Sequence, residues 1–138
     1  MKDNTKTLTL LGNKKTEYKF EDPNADMLEI FENKYPHRDY VVSYTTKEFT
    51  SLCPVTGQPD FAEIKIEYIP DKYCIETKSL KLYLFAYRNY GSFMETITNK
   101  ILEDCVKACN PRKMTVYGNF NARGGITINV VATYEREE

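Results

Sequence analysis

In AEIKIEYI, residues 62–69, apolar and charged side chains alternate. Alternation with a period of two is typical of a β-strand with one buried face. Pro70 and Asp71 follow and end the strand. Upstream, YVVSYT at residues 40–45 is rich in β-branched and aromatic side chains and predicts another strand.

Downstream of these strands the spacing of apolar residues changes to that of helices. Residues 79–89 fit a helix, although their aromatic and branched content also fits a strand, and we interpret them as a helix. In residues 92–109 an apolar side chain recurs every four positions, which predicts a second helix. Ser92 and Glu95 have the spacing of a capping box, and Asn-Pro at 110–111 ends the helix.

The C-terminal part predicts a β-hairpin. Residues 113–120 and 126–131 read as strands, and NARGG at 121–125 joins them. The order is therefore β-β-α-α-β-β, an α+β domain. Residues 1–38 are polar and broken by Asn, Gly and Pro, so we interpret them as an N-terminal arm to a single domain at 39–138.

The composition excludes several classes of function. The 138 residues carry 19 basic and 20 acidic side chains, so nothing favours a nucleic-acid or membrane-surface partner. No apolar run is long enough for a membrane span or a signal peptide, and we expect a cytoplasmic protein with four free cysteines. A single histidine, His37, disfavours a zinc site, and we predict no metal.

A candidate nucleophile and acid lie in FTSLCPVTGQPDF, residues 49–61. Cys53 supplies a thiol and Asp60 a carboxylate within a turn containing two prolines and a glycine. A thiol needs positive charge or backbone donors to become a nucleophilic thiolate. The alternatives are a buried structural thiol and a carboxylate that caps the backbone, and the turn alone does not separate them.

A second polar segment is ETKSLK, residues 76–81, at a predicted helix start. Its lysines, hydroxyls and unpaired backbone amides suit a phosphate, although a solvated helix start is the more common explanation of so short a charged run. No Rossmann or P-loop motif is present. Glu95 has two interpretations, a helix cap or an acceptor for N–H groups of a ligand, and Arg123 is either an exposed turn residue or functional.

These motifs occur together in one known family. FTSLCPVTGQPDF, ETKSLKLYLFAYRN, an acid early in the next helix and FNARGG resemble the single-domain nitrile reductases of queuosine biosynthesis, from about residue 10 to 130. The resemblance implies the tunnelling fold (T-fold), an antiparallel sheet with two helices on one face. It also implies pentameric β-barrel rings that stack as a homodecamer, with active sites between neighbouring subunits and no direct nucleic-acid partner.

The activity implied is the NADPH-dependent, four-electron reduction of the nitrile of 7-cyano-7-deazaguanine to 7-aminomethyl-7-deazaguanine. By resemblance, Cys53 attacks the nitrile to form a covalent thioimide and Asp60 donates the proton. Glu95 would bind the N–H edge of the deazaguanine. The resemblance assigns substrate binding to Ile75, Glu76, Thr77, Met94 and Glu95. It assigns NADPH binding to Lys78, Ser79, Lys81 and Arg123.

Three positions depart from the family. Thr77 stands where serine or leucine is usual in the NADPH signature, but it retains a hydroxyl. Met94 stands where members often have a histidine that assists substrate binding and proton delivery. Ile97 stands where some members have a cysteine that pairs with the nucleophile, so we expect no such local redox switch.

Two other functions remain open. An amidine-forming relative would use the same thioimide on nitrile-bearing tRNA, but the NADPH signature and the balanced charge disfavour it. A non-catalytic purine- or pterin-binding module on the same scaffold is disfavoured by the presence of Cys53, Asp60 and Glu95.

Overall fold

A four-stranded antiparallel sheet forms the centre of the molecule, in the order β2-β3-β5-β6. The computed structural model describes residue 6 and residues 17–137. The strands are β2 (Val42–Leu52), β3 (Pro59–Ile69), β5 (Lys113–Arg123) and β6 (Ile126–Glu135), and the helices are α1 (Thr77–Phe85) and α2 (Met94–Cys109). Both helices lie between β3 and β5 in the chain, so the predicted β-β-α-α-β-β order and the α+β class are confirmed.

A small second sheet packs beside the first. Strand β1 (Ile30–Glu32) pairs antiparallel with β4 (Tyr73–Ile75), and a short 3-10 helix at Ala25–Met27 precedes it. The Asn33 side chain donates to the carbonyl of Asp71 at 2.7 Å. These contacts attach the segment before β2 to the connection between β3 and α1.

One face of the large sheet is covered by the two helices. On β3 the even-numbered residues from Ala62 to Tyr68 are all buried, as the sequence alternation predicts. They form one core with apolar residues of α1 and α2. The opposite face is polar and carries, for example, the ion pair between Lys65 and Glu67 at 3.2 Å. Burial of one face is what gives the sheet its register.

Helix α2 approaches β5 closely at Gly118. A Cβ added there would lie 2.4 Å from the Thr98 Oγ1, which is nearer than two such atoms can come. The Thr98 hydroxyl is buried and donates to the Met94 carbonyl at 2.9 Å. A residue without a side chain is therefore required on β5 at this crossing.

Several local predictions are corrected by the structure. Strands β2 and β3 extend so far that the turn covers only residues 53–58, and Asp60, predicted in the turn, lies on a strand. The capping box is wrong because Phe93 is the N-cap and has no side-chain hydrogen bond. Helix α2 ends as predicted, at Asn110 in the left-handed conformation. Arg123 lies on β5, and only Gly124 and Gly125 form the hairpin turn.

Candidate active site

Cys53 lies in a closed turn directly after β2. Its amide donates to the Gln58 carbonyl at 2.9 Å, and its carbonyl accepts from the Gly57 amide at 3.0 Å. Gly57 has φ +70°, a conformation that favours glycine. The thiol is partly exposed, and all four cysteines of the chain are free, as predicted. The turn thus presents a thiol at the end of the sheet.

The surroundings of the thiol favour its charged form. The Thr56 hydroxyl, followed by the backbone amides of Thr56 and Val55, lowers the pKa of Cys53 to about 7, with a smaller contribution from Arg123 and a small opposing effect of burial. A thiol with that pKa is roughly half thiolate at neutral pH. The backbone donors that the turn was expected to offer, together with the Thr56 hydroxyl, which the sequence prediction did not identify, therefore favour a nucleophilic thiolate.

Asp60 lies beside this turn and faces a cation. It sits opposite Ser51 in the β2–β3 register, and its side chain is 4 % exposed. The Arg123 Nε lies 2.9 Å from Asp60 Oδ1. This contact does not have the geometry of a hydrogen bond, and Asp60 Oδ1 has no hydrogen-bond partner among the described residues. Two other atoms, Arg123 Nη2 and Ser51 Oγ, are likewise buried without a partner there.

Buried polar atoms without partners are uncommon, and they mark places where a ligand can complete the hydrogen bonds. Here three of them come from neighbouring strand ends next to Cys53. Ser51 was missed by the sequence prediction, although its position two residues before Cys53 on a predicted polar turn was a usable signal. The turn and the strand ends together can bind a small polar group and present a thiolate to it.

The start of α2 lies at the same end of the sheet. The Leu52 amide donates to the Tyr90 carbonyl at 3.0 Å, and the Ser92 amide donates to the Leu52 carbonyl at 3.1 Å. Glu95 follows in the first turn of α2 and is exposed. Met94 points the other way: it is 7 % exposed and belongs to the hydrophobic core.

The second predicted group of residues lies at the opposite end of the sheet. The Tyr44 hydroxyl, near the start of β2, donates to the Ile75 carbonyl at 2.7 Å. Cys53 lies nine residues further along the extended chain, which corresponds to roughly 25–30 Å. A single chain therefore does not bring residues 75–78 to the thiol.

The start of α1 is already hydrogen-bonded. The Glu76 carboxylate accepts from the amides of Lys78 and Ser79, the latter at 2.8 Å. The Ser79 hydroxyl donates to the Glu76 carbonyl at 2.8 Å and accepts from the Glu29 amide at 2.9 Å. The amides of Lys78 and Ser79 are therefore already paired within the chain, and a phosphate here would have to rely on the lysine side chains. Ile75 is fully buried, while Lys78 remains exposed.

A groove of about 470 Å³ runs between α1 and β2. Its lining includes the apolar Phe49, Leu80 and Leu84, with the polar Thr77, Lys81 and Arg88. The Lys81 ammonium also lies 5.8 Å from the centre of the Tyr18 ring. The groove combines apolar walls with two cations, which fits a molecule that carries aromatic rings and phosphates.

No helix within residues 17–137 is both long and apolar enough to cross a membrane.

Comparison with known proteins gives a consistent result. The profile of the family described as "QueF-like protein" matches residues 59–138. The chain is 53 % identical over 131 residues to the "NADPH-dependent 7-cyano-7-deazaguanine reductase" of Streptococcus mutans, covering 95 % of this chain and 80 % of that protein. It is 51 % identical over 134 residues to the enzyme of the same name from Bacillus mycoides, covering 97 % and 81 %.

Among solved structures, the apo form of the archaeosine synthase QueF-Like matches the fold with a TM-score of 0.65. The two are 26 % identical, and the match covers 71 % of this chain and 96 % of that one. The neighbour supports the T-fold that the sequence resemblance implied.

Proposed function

The chain belongs to the QueF-like protein family, and from this premise we propose that it reduces the nitrile of 7-cyano-7-deazaguanine with NADPH to the primary amine, a step of queuosine biosynthesis. The observation that carries the proposal is a Cys53 thiol with a pKa of about 7 beside the buried Asp60. These groups match the needs of a covalent addition, a nucleophile and a proton donor.

The first step is the addition of Cys53 to the nitrile. The thiolate sulfur forms a bond to the nitrile carbon, one π bond of C≡N breaks, and the nitrogen takes a proton from Asp60. The proton that left the thiol restores Asp60, so the product is a neutral thioimide and no redox change occurs. Glu95 is suited to accept from the N–H groups of the base, because it is exposed at the same end of the sheet.

Reduction then follows at the same carbon. Two NADPH molecules, bound one after the other, would each supply one hydride, and together they would provide the four electrons between nitrile and amine. Lys78 and Lys81 can hold its phosphates, since both ammonium groups are exposed on α1, and the groove beside Lys81 has room for the adenosine. Cys53 leaves after the first reduction, and Asp60 is the group placed to return protons to nitrogen.

A second copy of the chain is needed to complete this site. The residues at the start of α1 and those around Cys53 lie at opposite ends of one sheet, so one substrate contacts both only between copies. Strands β2 and β6 are the two edges of the sheet. Because the strands alternate in direction, β2 of one copy can continue the antiparallel sheet of the next copy at its β6. Repetition closes a barrel, which supports the predicted pentameric rings and homodecamer.

The experiment is to mix the purified chain with 7-cyano-7-deazaguanine and to follow NADPH absorbance and the intact protein mass. We expect a mass increase equal to the nitrile on Cys53 without NADPH, and consumption of two NADPH per nitrile with it. An adduct without NADPH oxidation would instead favour an amidine-forming enzyme. Absence of both would refute the reductase and leave a binding module.

A further inference from the structure

The local shape of β5 directs the side chain of Arg123 towards Cys53 and Asp60, the proposed catalytic pair. Phe120 pairs with Ile128, but Arg123 pairs with Ile126, so β5 has one more residue than β6 in this interval. Such a β-bulge reverses the alternation and re-aims the following side chain. Arg123 therefore faces the same side as Phe120 and Asp60, the side covered by the helices.

The hairpin turn fixes this position. Gly124 and Gly125 have φ values of +57° and +78°, the combination required by a two-residue turn with both central residues left-handed. Arg123 is thus held between a bulge and a tight turn. A guanidinium on such a base has less freedom to move than one on a long loop.

Arg123 contacts Asp60 directly. Its Nε lies 2.9 Å from Asp60 Oδ1, and its side chain is 35 % exposed while that of Asp60 is 4 % exposed. The guanidinium also makes a small contribution to lowering the pKa of the Cys53 thiol. Its Nη2 is buried and has no hydrogen-bond partner in the described part of the chain. A partly buried cation at this distance holds the buried Asp60 carboxylate in place, because moving the cation away would leave that buried charge unpaired.

We propose that Arg123 is a positioning residue for the reaction, which fixes the Asp60 carboxylate against Cys53 and faces the nitrile end of the substrate with its free Nη2. This assignment rests on the proposed function for its substrate, and it differs from the binding of NADPH that the resemblance assigns to Arg123. The contact with Asp60 uses Nε, and the two roles are separated by whether adduct formation or the KM for NADPH responds to substitution of Arg123.

Thioimide formation without NADPH separates the two roles. Arg123→Gln is expected to slow adduct formation about 10- to 100-fold, the usual cost of a misplaced catalytic group. Arg123→Lys keeps the charge but loses the planar guanidinium, and we expect partial recovery. Lys81→Gln provides the contrast, with its main effect on the KM for NADPH. A wild-type rate of adduct formation by Arg123→Gln, together with a raised KM for NADPH, would overturn the proposal.

A double variant tests whether Arg123 acts through Asp60. If it does, Arg123→Gln combined with Asp60→Asn forms the adduct no more slowly than Asp60→Asn alone. Full additivity of the two effects would contradict a positioning role. Circular dichroism and oligomer size of each variant show whether a loss comes from misfolding.

Alkylation by iodoacetamide keeps the test independent of the proposed substrate. Arg123→Gln should lower the rate of Cys53 alkylation at neutral pH by about two- to five-fold, because the thiolate loses a nearby cation. An unchanged rate would count against the proposal even if the wild type formed no thioimide. If the wild type forms no adduct but Arg123→Gln still slows alkylation, the proposed substrate is refuted and the role of Arg123 is retained.

Discussion

Thr56→Val is the substitution that tests most directly how the turn activates Cys53. The Thr56 hydroxyl is the largest of the influences that bring the thiol pKa from its ordinary 9.0 to about 7. Valine keeps the branched shape and removes the hydroxyl, while the backbone amides of Thr56 and Val55 still donate. We therefore expect the pKa of Cys53 to rise by about one unit, part of the way back to its ordinary value.

The consequence depends on pH in a definite direction. A lowered pKa keeps the thiolate present down to lower pH, so raising it moves the acid limb of reactivity upwards. At neutral pH the thiolate fraction should fall from about one half to roughly one tenth, while near pH 9 the two proteins should react at similar rates. The assay is the rate of Cys53 alkylation by iodoacetamide as a function of pH, repeated for thioimide formation.

Thr56→Ser is the matched control, because it retains the hydroxyl. It should keep the wild-type midpoint. The Thr56 hydroxyl also accepts from the Gln58 amide at 3.2 Å, so circular dichroism must show that the turn variants remain folded. A Thr56→Val midpoint equal to that of the wild type, or a serine variant that behaves like the valine variant, would refute the role given to the hydroxyl.

Three further predictions concern the fold, the cofactor and oxidation. Gly118→Ala should lower the free energy of unfolding by about 1–3 kcal/mol, because the added Cβ meets the Thr98 hydroxyl. Adding Thr98→Ala should recover part of the loss. Equal urea midpoints for Gly118→Ala and the wild type at fixed protein concentration would contradict this. Lys81→Gln should raise the KM for NADPH about ten-fold in steady-state assays, whereas Lys107→Gln, exposed in the last turn of α2, should not. Mild oxidation should give no internal disulfide at Cys53, because the other three thiols are buried; a Cys53-linked peptide by mass spectrometry would overturn that expectation.

The sequence predicted the helices and strands better than it predicted the contacts between them. The period of two in residues 62–69 and the period of four in α2 predicted their elements correctly, because burial of one face requires those periods. The Ser92–Glu95 capping box failed because the Ser92 amide and the end of β2 form a tertiary hydrogen bond. Local sequence does not contain such a partner, which lies some forty residues earlier in the chain.

In the candidate site, too, individual residues were predicted and the contacts between them were not. Cys53 was predicted from its turn, but its Thr56 donor and the Asp60–Arg123 pair depend on three-dimensional placement. Arg123 illustrates the reason: by simple alternation it would lie on the open face of the sheet, and a single extra residue in β5 places it on the covered face. The capped start of α1 was missed similarly, since Glu76 was considered as a ligand contact and not as the cap of its own helix.

The residue at position 94 bears on which group supplies protons in the proposed reaction. Met94 is buried in the core, and a thioether neither gives nor accepts a catalytic proton. Protons for the nitrogen must then come from groups that reach the thiol end of the sheet, and Asp60 is the acid buried there. The Arg123 Nε lies 2.9 Å from Asp60 Oδ1, so the pair holds that carboxylate at the thiol end of the sheet. On the proposed mechanism we therefore expect proton delivery in this chain to depend on the Asp60–Arg123 pair.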